Sequence, residues 1–428
     1  MDARQLRDVR MTENKSEKLS FSAAWAMAVG GMIGGGIFSV LGVVIAEAGR
    51  LAWLSFVFGG TIALATGWSY SRLTVSGGRA GGIYQFLRQR GRNGAAAAIA
   101  WVLILGYVLT VSVYAHTFGA YISHAFGWSA IIGHGLGIAA ILTITGVNLL
   151  GVGESSLTEI ILVGGKLLVL GALAIAGLMH WSPPALSPSG EHVGLTGAVI
   201  GAALVFMAYE GFQLLVYDYE VMENPQRTLP TAMMSAIVAV ILIYISVALG
   251  AAMLVGADRI VADKEVALAA AGSAAFGEIG LVVVTIAAAF STGSAILATI
   301  FGTARLAHRV AAERDLPGFF GRTNSEGVPV GATLLIATAA CLLVWVGSLG
   351  ELVEGASLVF LLTFAGVNLL AWRGAVVHPV VGLVGSLGAL SAAILLGWRM
   401  LSTAPLELAM IGAVLSVAAA FGFWRRRT

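Results

Sequence analysis

Charge is what this chain has least of. Asp, Glu, Lys and Arg make up 11% of its 428 residues, against about 25% in a soluble domain. That scarcity excludes a water-soluble enzyme, a nucleic-acid binder and a disordered chain. Cysteine is nearly absent too. Cys341 alone forms no internal disulfide and leaves no thiol pair for redox work. The nine prolines (Pro183, Pro184, Pro188, Pro225, Pro230, Pro317, Pro329, Pro379 and Pro405) all read as loop or helix-end residues, so proline kinks are not expected to break helices. No His/Cys/Asp/Glu grouping suggests a metal and no phosphate-binding loop suggests ATP, so no cofactor is expected. No nucleophile stands paired with a base, and the chain does not read as an enzyme.

Hydrophobic residues, at 58%, and 56 glycines fill the space. A membrane-spanning helix needs about 20 apolar residues. The gaps between charges fit twelve spans, at about 21–47, 51–74, 95–124, 129–150, 156–178, 194–219, 229–255, 278–307, 330–348, 353–371, 380–399 and 406–424. The runs are uniformly apolar and do not alternate, which excludes a strand barrel. Residues 1–20 alternate in charge and lead into a long apolar segment, unlike a cleavable signal peptide with its short apolar core. They read as a cytoplasmic tail, and 425–428 as a basic cytoplasmic terminus. With both ends inside, the cytoplasmic segments hold 19 of the 24 Lys and Arg, the other side holds four, and Lys166 lies within the membrane. That is the bias of a multi-pass protein of the cytoplasmic membrane with both termini inside.

Two spans are expected to break. The first contains Gly30-Gly31-Met32-Ile33-Gly34-Gly35-Gly36-Ile37-Phe38. Each glycine costs about 1 kcal/mol relative to alanine within a helix, so unwinding there is cheap. Small residues three apart also serve helix packing, but three consecutive glycines favour a break. The sixth span carries Phe206-Met207-Ala208-Tyr209-Glu210-Gly211-Phe212-Gln213, a charge beside a glycine in mid-membrane. Interrupted helices in corresponding positions of two halves point to a transporter binding site. Free N–H groups at such half-helix ends suit a carboxylate and free C=O groups an ammonium. The pair complements the backbone of an amino acid.

These motifs carry a resemblance. Gly31 to Phe38 resembles the first-helix motif of the amino acid–polyamine–organocation superfamily of permeases. Ala208 to Phe212 with Glu223 to Pro230 resembles its sixth-helix signature and following loop. Ser76 to Tyr84 resembles the loop after the second helix. Ser291 to Arg305 with Ala312 to Pro317 resembles the eighth helix and its exit. The resemblance covers the chain from residue 20. It implies an all-α fold of the leucine-transporter type, with inverted repeats at 21–178 and 194–371, discontinuous helices one and six, and two further helices over 380–424. It also implies free amino acids as substrates. By position, the carboxylate meets the N–H groups of Gly34, Gly35 and Gly36, and the ammonium meets carbonyls near Met32, Ile33, Phe206 and Met207. One departure stands out: the family often has Ser or Thr where this chain has Gly35, so a hydroxyl to the carboxylate is missing.

Lys166 lies roughly 15 Å from either end of its span, beyond snorkelling reach. Placing it there costs about 2.5–3.5 kcal/mol on insertion scales, which marks a functional candidate. In some proton-coupled members of the superfamily a fifth-helix lysine replaces the cation of sodium-coupled relatives, and Lys166 looks similar. Its ammonium is expected to bridge the first break and the hydroxyls of Ser291, Thr292 or Ser294. The plain alternative is a permanently charged lysine tying three helices together. Glu210 has two readings as well, a partner for a cationic substrate or proton, or a group that satisfies the broken sixth helix. The resemblance favours the second. His116 reads as a bonded interior histidine.

The expectation is a secondary active amino-acid permease, proton-coupled, with the free amino acid, the proton and the lipid bilayer as its partners and no nucleic acid. A sodium-coupled or exchange-type carrier and a non-transporting amino-acid sensor are the rivals. The sequence carries no signal for oligomeric state.

Overall fold

The computed structural model describes residues 18–151, 156–188 and 194–425. Most of the expected N-terminal tail and of the basic C-terminus lies outside the described residues, as does the loop after the fourth expected span. Nine helical stretches among the described residues are long and apolar enough to cross a membrane, and three shorter apolar helices, Phe21–Ile33, Val330–Val346 and Pro405–Ala420, accompany them. Among those residues regular structure is helical, apart from the isolated bridges Leu19–Met222 and Thr323–Pro329.

The chain begins with α1 (Phe21–Ile33) and α2 (Gly36–Ala48), then α3 (Ala52–Gly77), the short α4 (Gly82–Gln89), α5 (Asn93–Ala125), α6 (Ala130–Leu149) and α7 (Ser156–Leu178). After them come α8 (Leu195–Leu204), α9 (Pro225–Val255), α10 (Ala257–Ala262), α11 (Ala267–Ala312), α12 (Val330–Val346), α13 (Leu349–Arg373), α14 (Pro379–Thr403) and α15 (Pro405–Arg425). Long α5 packs against α6, α11, α13 and α15, while α9 packs against α1, α3 and α7. Large apolar side chains face outward: Leu168, Ile279 and Trp398 are 73%, 75% and 77% exposed. Ionisable Lys166 and Glu210 are 3% and 1% exposed. Polar inside and apolar outside is the pattern lipid selects. The end of the bundle that carries Leu19 is called the tail face below.

Local chemistry explains the element ends. Ser20 caps α1 by accepting from the Ala23 N–H at 3.3 Å. Ser348 and Glu351 form a reciprocal capping box on α13.

Three departures from the sequence expectation have physical reasons. Helix α9 starts four residues early, because Pro225 at its first position has its φ already set for helix. Pro230 therefore lies inside the helix, contrary to its reading as an end residue. The carbonyl it leaves without an intrahelical partner is that of exposed Gln226, within reach of water. Helix α11 starts well before 278 because two helices meet at a corner, where Phe276 and Gly277 (φ +63°) leave the helical region. Helices α4 and α10 fall in segments read as loops, being eight and six residues long.

Candidate functional site

The first span is interrupted at the glycine run. Helix α1 ends at Ile33, Gly35 turns out of the helical region (φ −136°, ψ −10°), and α2 starts at Gly36. In the sixth span the departure is longer than expected. Helix α8 tightens into a 3-10 turn over Val205–Tyr209, Glu210 is extended, Gly211 has φ +126°, and 3-10 winding continues over Phe212–Val221. Winding with i→i+3 bonds leaves carbonyls and N–H groups off their usual α partners.

The two interruptions touch. A Cβ on Gly211 would lie 2.4 Å from the Gly31 carbonyl carbon, so backbone meets backbone. Two side chains from neighbouring helices pin the pair. The Tyr244 hydroxyl of α9 donates toward the Met32 carbonyl at 2.7 Å and the Ala208 carbonyl at 2.9 Å. The Ser357 hydroxyl of α13 donates to the Leu204 carbonyl at 3.0 Å and accepts from the Met207 N–H at 3.1 Å.

Lys166 stands on the other side of the first break. Its Nζ donates to Ser294 Oγ at 3.0 Å, Ser294 Oγ donates to the Ser291 carbonyl at 3.1 Å, and Ser291 Oγ donates to the Ile33 carbonyl at 2.8 Å. A polar chain thus runs from α7 through α11 to the last residue of α1. Thr292 is not part of it, since its hydroxyl bonds Ala288 within its own helix. The carbonyls of Met32 and Ile33, expected to face an ammonium, each already accept one hydroxyl and keep their second lone pair. Phe206 and Met207 are fully buried, and the Met207 carbonyl accepts the Glu210 N–H at 3.1 Å.

Around Glu210 a second network closes. Gln213 Nε2 donates to its carboxylate at 2.6 Å, and the Gly211 N–H donates to Gln213 Oε1 at 3.0 Å. The Glu210 carboxylate is thus linked to the broken backbone through Gln213 rather than by touching it.

The Tyr114 ring also lies against the first break, where a Cβ on Gly35 would come within 2.1 Å of its Cδ1. The missing family hydroxyl and this ring claim the same space. Gly34 and Gly36 are equally closed in, by Ala295 and by Tyr244 with Ala208. Tyr114, Tyr244, Ser357 and Gln213 were not singled out by sequence for these roles. Nothing local in the sequence distinguishes them for these roles.

His116 differs from its reading as a bonded interior residue. Its ring Nδ1 has no hydrogen-bond partner, and the ring lies 4.9 Å from that of His134. Both line a cavity of about 180 Å³ with His124 and Glu265, on the face away from the tail. No group of three or more His, Cys, Asp or Glu among the described residues is arranged to hold a metal.

Polar latches tie helices together at both ends. On the tail face Asp315, fully buried, accepts from the Tyr84 hydroxyl at 3.0 Å and pairs with Arg88 at 3.2 Å, while Arg88 also pairs with Glu313. Burial and the adjoining Asp315 carboxylate push the Tyr84 phenol above its ordinary pKa, so it stays a donor at physiological pH. Arg309 donates to the Ala80 carbonyl at 2.8 Å, and the Ala80 N–H donates to Glu220 at 3.2 Å. On the opposite face Arg399 of α14 joins Glu47 at 2.6 Å and Glu354 at 3.6 Å.

A polytopic helical bundle with two touching interruptions around buried polar groups defines a membrane carrier type of architecture. The comparisons carry this to a family. Residues 19–421 match the amino acid permease family model, and the chain belongs to that family. It is 31% identical over 371 residues to the inner membrane transport protein YbaT of Escherichia coli, covering 84% of each chain. It is 32% identical over 331 residues to an uncharacterized protein of Methanocaldococcus jannaschii, covering 75% of this chain and 76% of that one. The serine/threonine exchanger SteT of Bacillus subtilis is 26% identical over 299 residues, 69% of this chain and 68% of its own.

Proposed function

We propose that this protein is a secondary active carrier of free amino acids that works by alternating access and is driven by protons. In this reading the chain crosses the cytoplasmic membrane twelve times with both termini inside. Residues 21–178 and 194–371 are inverted repeats, and α14 and α15 lie outside them. The amino-acid carboxylate meets the N–H groups at Gly34, Gly35 and Gly36, where the start of α2 offers the positive end of a helix dipole. The ammonium meets the remaining lone pairs of the Met32, Ile33, Phe206 and Met207 carbonyls, with Glu210 holding the sixth span in shape beside them.

The observation that carries the coupling role is the chain from Lys166 through Ser294 and Ser291 to the Ile33 carbonyl. An ammonium in that position stands where a carrier of this design would otherwise hold a cation. Loss of its proton would withdraw the charge from Ser294 and loosen the hold of α11 on the first break. Loading and unloading one proton would then alternate two arrangements of α1 against α7 and α11.

Purified protein in proteoliposomes tests this. Amino-acid uptake driven by an inward proton gradient in sodium-free buffer is expected, and uptake that needs sodium instead overturns it. A second reading, obligatory exchange, draws on the likeness to SteT. It predicts uptake only into vesicles preloaded with amino acid, whatever the proton gradient.

A further inference from the structure

A cavity of about 560 Å³ opens on the tail-face half of the bundle, between α4, α5, α13 and α15. That volume lies within the roughly 300–1,000 Å³ of ordinary ligand pockets. Its walls are apolar: Ile83 and Leu87 of α4, Ala98 and Ile99 of α5, Leu369 of α13 and Leu415 of α15 are among them. One lining residue carries a charge, the exposed Arg92 at the start of α5. Beside it, Arg90 stacks its guanidinium 3.8 Å from the centre of the Phe86 ring. A water-soluble ligand has little to bond in such a place. An acyl chain fits the walls, and a basic residue at the mouth, level with the helix start, fits an anionic headgroup.

We infer that this groove is a binding site for an acidic phospholipid of the tail-face leaflet, its acyl chain between α5, α13 and α15 and its phosphate at Arg92. The charge is what selects the lipid. A zwitterionic headgroup brings its own cation to Arg92, whereas phosphatidylglycerol brings a net negative charge and several acceptor oxygens.

The site reaches the tail-face latch through a single short helix. On α4, Ile83 and Leu87 face the groove, while Tyr84 and Arg88, each one residue further on, hold Asp315 and Glu313. A lipid seated against Ile83 and Leu87 supports the helix that keeps the latch shut. Bound lipid is therefore expected to set how readily the tail face opens. This regulatory consequence rests on the carrier reading above, but the binding itself does not.

Two measurements on the full-length protein separate them. Native mass spectrometry after exchange into phosphatidylcholine with 20% phosphatidylglycerol reads binding. The unmodified protein is expected to retain phosphatidylglycerol over phosphatidylcholine. Retention is expected to fall at least fivefold in Arg92→Gln, to persist in Arg92→Lys, and to be lost in Ala98→Trp, which fills the groove. Equal retention of the two lipids, or unchanged retention in both Arg92→Gln and Ala98→Trp, overturns the site. Uptake in proteoliposomes with and without 20% phosphatidylglycerol reads the link to the latch. The unmodified protein is expected to change rate at least twofold with the acidic lipid, and the two variants are expected to keep its rate in pure phosphatidylcholine without responding. An equal response in the variants, or none in the unmodified protein, overturns the link. An unmodified protein that binds the lipid but moves no amino acid under any gradient overturns the carrier reading and leaves the site standing.

Discussion

Gly31 and Gly211 lie back to back, so close that a Cβ on Gly211 would stand 2.4 Å from the Gly31 carbonyl carbon. The two interrupted spans are therefore joined through bare backbone, where the last turn of α1 meets the non-helical Gly211 of the sixth span. Gly211 has φ +126° besides, a conformation that residues with a Cβ rarely adopt. Gly211→Ala is expected to destabilise the protein by more than about 2 kcal/mol, combining a strained backbone with a clash against atoms that cannot rotate away. A lowered melting temperature in detergent, with uptake abolished, checks it.

Gly35 tests who owns the space at the first break. A serine there collides with the Tyr114 ring, and overpacking of this kind costs about 1–3 kcal/mol. Gly35→Ser alone is expected to melt lower and transport poorly. Combined with Tyr114→Ala it is expected to recover part of the lost stability. Equal losses in the single and double variants, measured by thermal melting, would show that the ring does not set the limit.

Lys166→Met removes the ammonium from Ser294 and detaches α7 from the polar chain that reaches Ile33. Uptake driven by a proton gradient is expected to fall at least tenfold. Initial rates at a series of external pH values provide the check, because a lysine that is merely a fixed tie lowers the rate without altering the pH profile.

Parts of this arrangement can be read along the chain, and parts cannot. The glycine run at 30–36, Glu210 beside Gly211, and Lys166 far from either membrane edge are local anomalies against an apolar background, and each lies at or beside an interruption. The partners are not local. Tyr244 is 212 residues from Met32 and 36 from Ala208, and a tyrosine in an apolar span looks the same whether it packs or bonds. The length of the 3-10 winding over 205–221 leaves no compositional trace either, since the same side chains would suit an α-helix. Helix α4 is too short for periodicity to announce it, and its role depends on Glu313 and Asp315, more than 220 residues away.

The tail-face latch yields a further prediction. Asp315→Asn removes the charge that Arg88 meets at 3.2 Å, and Tyr84→Phe removes the hydroxyl donor. Either change leaves a buried polar group short of a bond, at about 1–3 kcal/mol, with Asp315→Asn toward the upper end because a charge is lost although Arg88 keeps Glu313 as a partner. Hydrogen exchange over residues 82–89 is expected to quicken in both variants, more so in Asp315→Asn. Unchanged exchange in both would mean that α4 is held by its apolar face alone.

The Tyr244 hydroxyl reaches two carbonyls but owns a single hydrogen. Whenever that hydrogen settles on Met32, Ala208 goes without, and the reverse. The bend of one interrupted span is thus satisfied at the expense of the other, and a rotation of one O–H bond is enough to move the debt between them.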